Sequence, residues 1–297
     1  MKLLFRRICI SLLYKISHLV TSDRLYLKMM YYLQFGRSLD LNNPKTFNAK
    51  LQWLKLYNRN PEYIKMVDKY EAKKYVSSII GDEYIIPTIS VYSSVEEIDL
   101  EKLPMQFVLK CTHDSGGVVI CKNKDSFDIK ESFDKLRRGL KYNFYYANRE
   151  WPYKYVKPRI IAEQYMEDKS TGELRDYKFF CFNGVVKFFK IDYDRFVNHH
   201  ANYYSPNGDL LPFGEARISP IPNKQLSLPS RLYEMISFAE KLSENIPFLR
   251  VDFYEIDGHV YFGELTFFPD SGYGKWTSCE WDNKIGEYID LDLVKKY

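Results

Sequence analysis

Two carboxylates, Asp252 and Glu264, are the residues of this 297-residue chain best suited by type and spacing to do chemistry. They lie in RVDFYEIDGHVYFGELTFFPDSG, residues 250–272, within two apolar runs that read as buried sheet. A charge there is costly unless something pairs with it, and a divalent metal is the usual partner of two such carboxylates. Asp257-Gly258 joins the two runs, and the turn it makes decides whether the acids can act together. A two-residue turn would set Asp252 opposite Gly263 and send Glu264 to the other face, because side chains alternate with period two. A three-residue loop, Ile256-Asp257-Gly258 with Gly258 left-handed, pairs Asp252 with Phe262 and Arg250 with Glu264. That register puts Arg250, Asp252, Glu264 and Thr266 on one face, and it is the register expected here. The plainer alternative is a hairpin whose acids simply face solvent.

Other residues suit an anionic ligand. Lys110 ends the apolar run FVLK and is followed by CTHDSGG, so an ammonium stands beside Ser115-Gly116-Gly117, where backbone amides can approach phosphate oxygens. The order GxxxxGK[ST] is absent, so this is not a P-loop. RIIAEQYM places Glu163 at the end of a short strand whose continuation can offer backbone groups to a flat heterocycle. In DYKFF, Asp176 and Lys178 share a strand face, as an ion pair or with Lys178 directed at a phosphate. Lys69 opens a helix after Asp68. His113, beside the glycine-rich stretch, is either a ligand contact or a structural histidine. His199-His200 have no third ligand at a metal spacing, which argues against zinc.

Elements to position these groups can be read along the chain. Residues up to about 80 read as helical, with Phe47, Leu51, Leu54 and Tyr57 at helical spacing between Pro44 and Asn58. Short strand patterns follow at 84–92, 106–113 and 117–123. A polar helical stretch spans about 126–148, and strand patterns resume at 159–166 and 176–191, the latter with an Asn183-Gly184 hairpin turn. Residues 198–230 read as loop and 231–245 as helix. This order predicts an α+β protein with a cleft between two lobes. The expected division is a helical N-terminal segment, 1–60, and a catalytic domain, 61–297.

Composition narrows the function. A net charge of +4, without a cluster of basic residues interleaved with aromatics, argues against nucleic acid. Five scattered cysteines and no CxxC pair argue against a disulfide framework and fit a reducing compartment, so a cytoplasmic protein is expected. The start, MKLLFRRICISLLYKISHLV, is basic and apolar, but Lys15 and His18 interrupt it and no small-residue cleavage site follows. It reads as an amphipathic helix over residues 1–20, packed on the body or resting on the inner face of a membrane.

Taken in order, DKY, FVLK with SGG, IIAEQYM and RVDFY…GELTF resemble the ATP-grasp superfamily. More narrowly, NPKTFNAKLQWL, DKY, FVLKCTHDSGG, DYKFFCFNG and RVDFY…GELTF resemble the TupA-like ATP-grasp family of bacterial surface-polysaccharide gene clusters. The resemblance runs from about residue 35 to 292. It implies an ATP-grasp fold, two α+β lobes around a nucleotide cleft, and ATP with Mg2+. It also implies ligation of a carboxylate to an amine through an acylphosphate, with a glycan or uronic-acid carboxylate and an amino acid or other amine as substrates. By position, Lys69 and Lys110 would hold phosphates, Ser115, Gly116 and Gly117 would cover them, and Glu163, Gln164, Tyr165 and Met166 would form the adenine hinge. Asp176 would belong to the nucleotide site with Lys178 in the catalytic centre. Asp252 and Glu264 would bind magnesium and Arg250 would steady charge on the transferred phosphate. The wider superfamily carries Asn two positions after the glutamate; here Thr266 stands there as the third ligand. The rival readings are a nucleotide-sugar glycosyltransferase, using Asp192-Tyr193-Asp194 for its metal, and a non-catalytic nucleotide-binding assembly factor.

Overall fold

The computed structural model describes residues 2–297 except 115, 169–173, 194–197, 219 and 222–225. The chain begins with helices α1 (Lys2–Lys15), α2 (Asp23–Phe35), α3 (Phe47–Tyr57), α4 (Tyr63–Val67) and α5 (Glu71–Ile80). Ser22 and Thr46 cap α2 and α3, their hydroxyl oxygens accepting the N–H of Leu25 and Ala49. Helix α3 is buried nearly all round: Asn48, Gln52 and Lys55 are as covered as Phe47, Leu51 and Leu54. A helix enclosed in this way needs partners for its polar side chains, and those partners lie near the end of the chain.

Four strands, β1 (Thr88–Tyr92), β2 (Phe107–Cys111), β3 (Val118–Cys121) and β4 (Ile160–Gln164), form an antiparallel sheet in the order β1-β4-β2-β3. Helix α6 (Ile129–Lys141) packs Leu136 on Phe107, Leu109 and Cys111, giving this lobe its own small core, and the short α7 (Tyr145–Asn148) follows. The second sheet has five antiparallel strands, β5 (Asp176–Phe182), β6 (Val185–Tyr193), β7 (His200–Tyr204), β8 (Leu249–Ile256) and β9 (His259–Thr266), in the order β7-β6-β5-β8-β9. Helix α8 (Leu232–Leu242) covers one face of it, and α9 (Cys279–Glu287) lies against α3. The larger core joins this sheet to the N-terminal helices: Phe47 meets Phe248 edge-on at 4.9 Å. The architecture is α+β, with two antiparallel sheets behind a helical N-terminal part.

Strand β7 lies within the stretch that reads as loop. HANYY lacks apolar alternation, and it is held by pairing with the preceding strand β6 and by stacking of Tyr204 on Phe189 at 5.4 Å. Asn183-Gly184 makes the expected tight turn, with φ of 49° and 81°.

The acidic hairpin corrects the expected register. Asp257 and Gly258 have φ of 51° and 77°, and Ile256 pairs with His259, so the connection is a two-residue turn of the mirror-image type that suits strand twist. The predicted three-residue loop does not form, and neither Asp252–Phe262 nor Arg250–Glu264 is a pair. Instead a bulge at Gly263, between the pairs Phe253–Phe262 and Asp252–Glu264, shifts the phase by one residue. Arg250 then pairs with Thr266, and the four side chains reach the same face by another route. Gly263 lets the strands close at the bulge, since a Cβ there would sit 2.9 Å from the Asp252 carbonyl oxygen.

Candidate active site

The common face of β8 and β9 carries a compact charged group. The Arg250 guanidinium donates to both Asp252 oxygens, each at 2.7 Å, and to Glu264 Oε1 at 2.8 Å and Thr266 Oγ1 at 3.1 Å. Thr266 Oγ1 donates in turn to Glu264 Oε1 at 3.0 Å. The Asp252 side chain is 3% exposed and that of Glu264 is 49% exposed, so the group runs from the sheet floor out to solvent. Burial pushes the Asp252 carboxyl up to about 6 against the pull of Arg250 and Lys178. The two charge-assisted bonds from Arg250 keep it a carboxylate at neutral pH. Burial alone would raise Glu264 too, but Arg250, Lys69 and Lys178 bring it below its usual range.

The row continues across the sheet. Lys178 Nζ, in the pair opposite Asp252, lies 2.8 Å from Asp176, 3.0 Å from Asp192 and 3.7 Å from Asp252. Lys190 lies 3.4 Å from Asp192 and 3.2 Å from Glu215, whose Oε1 also accepts the Tyr203 hydroxyl at 2.6 Å. Burial would raise the Asp192 carboxyl, yet Lys190 and Lys178 hold it well below the usual range. Asp176 and Lys178 do form an ion pair, and it is buried inside this network. Asp192 is committed to the network and to His199, at 2.8 Å, while Asp194 lies outside the described residues.

The smaller sheet and α5 together supply the basic side. Lys73 and Lys110 each approach one oxygen of Glu163 at 2.5 Å, and Lys73 also donates to the Ile86 carbonyl and the Thr88 hydroxyl. Burial would raise Glu163, but Lys110 and Lys73 more than offset it and keep the carboxyl below its usual range. Glu163 thus contributes its side chain, while its backbone pairs with β1 and β2. Gln164 is exposed, and Tyr165 and Met166 run on half-buried past the strand end. Lys69 donates to the carbonyls of Cys111 and Asp114, stitching the start of α5 to the glycine-rich segment. Gly116 is left-handed at φ 115°, and Asp114 packs so closely on Gly117 that a Cβ there would meet it at 2.3 Å; Ser115 lies outside the described residues. His113 is buried, and its Nε2 is 3.0 Å from the Gly139 carbonyl. An open hollow lined by Pro87, Met105, Gln106, Gln164 and Tyr165 adjoins the far end of β4, and none of the site's lysines or acids line it.

Lys73 is the member of this charged group that sequence reading missed. The available signal was its place in a stretch read as helical, soon after Lys69. Glu163→Gln is expected to lower the unfolding free energy by about 3 kcal/mol, because it leaves Lys73 and Lys110 facing each other in a partly buried site. Urea denaturation measures this, and an unchanged midpoint would show that the lysines do not depend on Glu163.

Lys110 on one sheet with Lys73 on α5, and an arginine with two carboxylates on the other sheet, suit the binding and transfer of a phosphorylated group. Comparison with known proteins bears on this arrangement. The family model described as TupA-like ATPgrasp matches residues 49–290. A comparison with curated proteins finds no match. Among solved structures, the chain resembles D-alanine–D-alanine ligase from Helicobacter pylori, at 15% identity and a TM-score of 0.45 over 82% of this chain and 69% of that one. It resembles D-alanine–D-alanine ligase from Bacillus anthracis at 19% identity and a TM-score of 0.41, over 84% and 69%. Phosphoribosylamine–glycine ligase from Thermotoga maritima matches at 14% identity and a TM-score of 0.41, over 71% and 51%. Likenesses this distant carry no argument about activity.

Proposed function

We propose that this chain, which belongs to the TupA-like ATP-grasp family and is therefore an ATP-grasp ligase, joins an amino acid or other amine to a carboxylate of a bacterial surface polysaccharide or its precursor. The observation that supports a carboxylate-activating site is the Arg250–Asp252–Glu264–Thr266 group, set at the open end of a buried charged row. Making an amide from a carboxylate requires activation. A substrate carboxylate oxygen attacks the γ-phosphorus of ATP, ADP leaves, and an acylphosphate remains. The amine then attacks the acyl carbon, losing a proton, and phosphate departs.

The chain's own residues position and neutralise. Lys110 and Lys73, kept in place by Glu163, face the nucleotide phosphates, and Lys69 fixes the backbone that covers them. Arg250 holds the charge that develops on the transferred phosphoryl group, and Lys178 maintains the floor beneath it. Tyr165 and Met166, beyond the end of β4, receive the base.

The donor set fits Mg2+. Two carboxylates and a hydroxyl converge on one face, and Arg250 already bridges all three, so hard oxygens stand within reach of one centre. Mg2+ is commonly bound through one or two carboxylates, with water and phosphate oxygens completing its shell. Asp252, Glu264 and Thr266 would hold it, and bound there it would neutralise phosphate charge.

An assay of ADP release tests the reading. Release is expected only when a uronic acid or similar carboxylate and an amine are both present. Consumption of a nucleotide sugar without ATP would instead support the glycosyltransferase alternative and end this one.

A further inference from the structure

Helix α1 shows two unlike faces. Ile10 and Leu13 turn inward, Leu13 fully buried and Ile10 against the main core, and the Arg6 guanidinium lies against Gly36 at the end of α2. The other face is bare. Leu4, Ile8 and Leu12 recur every fourth residue with Phe5 beside them, and they are 65%, 58%, 57% and 66% exposed respectively. Four large apolar side chains in one stripe on a helix this short exceed the scattered exposure that is ordinary on a protein surface.

Charge identifies what would cover that stripe. Residues 1–22 contain Lys2, Arg6, Arg7 and Lys15 and no acid; Asp23 is the first acidic residue in the chain. Arg7 and Lys15 are exposed, and Leu19, just beyond the helix, extends the apolar surface at 68% exposure. A second copy of the helix would bring like charge against like charge, which opposes self-association. An anionic lipid surface offers apolar depth and negative charge together. No described helix is long and apolar enough to cross a membrane, so the contact is one of lying on the surface.

We propose that the outer face of α1 rests on an anionic phospholipid surface, with Leu4, Phe5, Ile8 and Leu12 entering the interface and Arg7 and Lys15 meeting headgroups. One amphipathic helix gives reversible attachment. This proposal stands apart from the ligase reading, because none of these residues belongs to the charged site.

Flotation of the full chain with vesicles tests it, using phosphatidylcholine alone and phosphatidylcholine with about one third phosphatidylglycerol. The wild type is expected to float with the anionic vesicles only and to be released at roughly 0.5 M salt. Ile8→Glu with Leu12→Glu, and separately Arg7→Glu with Lys15→Glu, are each expected to lower the bound fraction at least about tenfold at an unchanged melting temperature. Failure of the wild type to float would overturn the proposal, as would variants that float equally well. So would a wild-type dimer that ignores vesicles and is split by Ile8→Glu, which would assign the stripe to a second copy. Because ADP release with soluble substrates should be the same in all these proteins, failure here and failure of the ligase reading are distinguishable.

Discussion

Glu264→Gln is expected to slow ATP turnover at least about a hundredfold while leaving the fold intact. The expectation rests on the different positions of the two acids. Asp252 lies on the floor, with both its oxygens bonded to Arg250, so removing its charge would strand a buried guanidinium and confound chemistry with stability. Glu264 is half exposed and shares Arg250 with Asp252, so the guanidinium keeps its two short bonds when Glu264 becomes neutral. What Glu264→Gln removes is the negative charge at the exposed end of the group. ADP release and the thermal midpoint are the paired readouts. Turnover unchanged at an unchanged midpoint would show that Glu264 takes no part in the chemistry.

Lys55→Met is expected to have the largest effect on stability, a loss of about 3–5 kcal/mol. Lys55 is fully buried in α3, and its ammonium has three acceptors: Gln52 Oε1 at 3.0 Å, the Asn148 carbonyl at 2.9 Å and the Ser271 carbonyl at 2.7 Å. Gln52 adds bonds to the Ser271 and Gly272 carbonyls, and Ser271 Oγ donates to the buried Glu150 at 2.5 Å. These bonds hold a strained segment. Asp270 and Ser271 both have left-handed backbones, at φ of 46° and 54°, immediately before Gly272. Such residues cost of order 1–3 kcal/mol each and persist only where the surroundings over-determine them. The segment follows the strand that carries Glu264 and Thr266, so loosening it would also disturb the site.

Burial pushes Lys55 down to about 7 and Glu150 up to about 6. A lysine whose folded pKa lies below its unfolded value of about 10.4 binds fewer protons in the native state across that window. Its contribution to stability therefore improves as pH rises from about 7 toward 10. Lys55→Met removes that slope, so the stability gap between wild type and variant is expected to widen between about pH 7 and pH 9. Urea midpoints at the two pH values measure it, and a constant gap would mean that the Lys55 pKa is not displaced.

The α+β class was legible because the strand patterns and both Asx-Gly turns are local signals, while the division into two antiparallel sheets was not read. The common face of Arg250, Asp252, Glu264 and Thr266 was legible too, but its cause was not. Face depends only on the parity of residues between two positions, so an extra residue in the loop and an extra residue at Gly263 predict the same face. Only backbone geometry separates them, although Asp-Gly favours the tight turn and a glycine within a strand hints at a bulge. Strand β7 was lost because HANYY shows no apolar alternation and lies in a stretch rich in Asn, Pro and Ser. The roles of Lys55 and Glu150 were lost because nothing near Lys55 in sequence announces that residues 148 and 271 will close around it. Lys73 was within reach, since it lies soon after Lys69 in a stretch already read as helical.

The central claim is that the face carrying Asp252 and Glu264 binds the metal that accompanies ATP. Calorimetric titration of the wild type and of Glu264→Gln with ATP, with and without Mg2+, tests it most directly. The account predicts that Mg2+ tightens ATP binding at least about tenfold in the wild type and that Glu264→Gln abolishes most of that gain. An equal gain in both proteins would place the metal elsewhere and contradict the account.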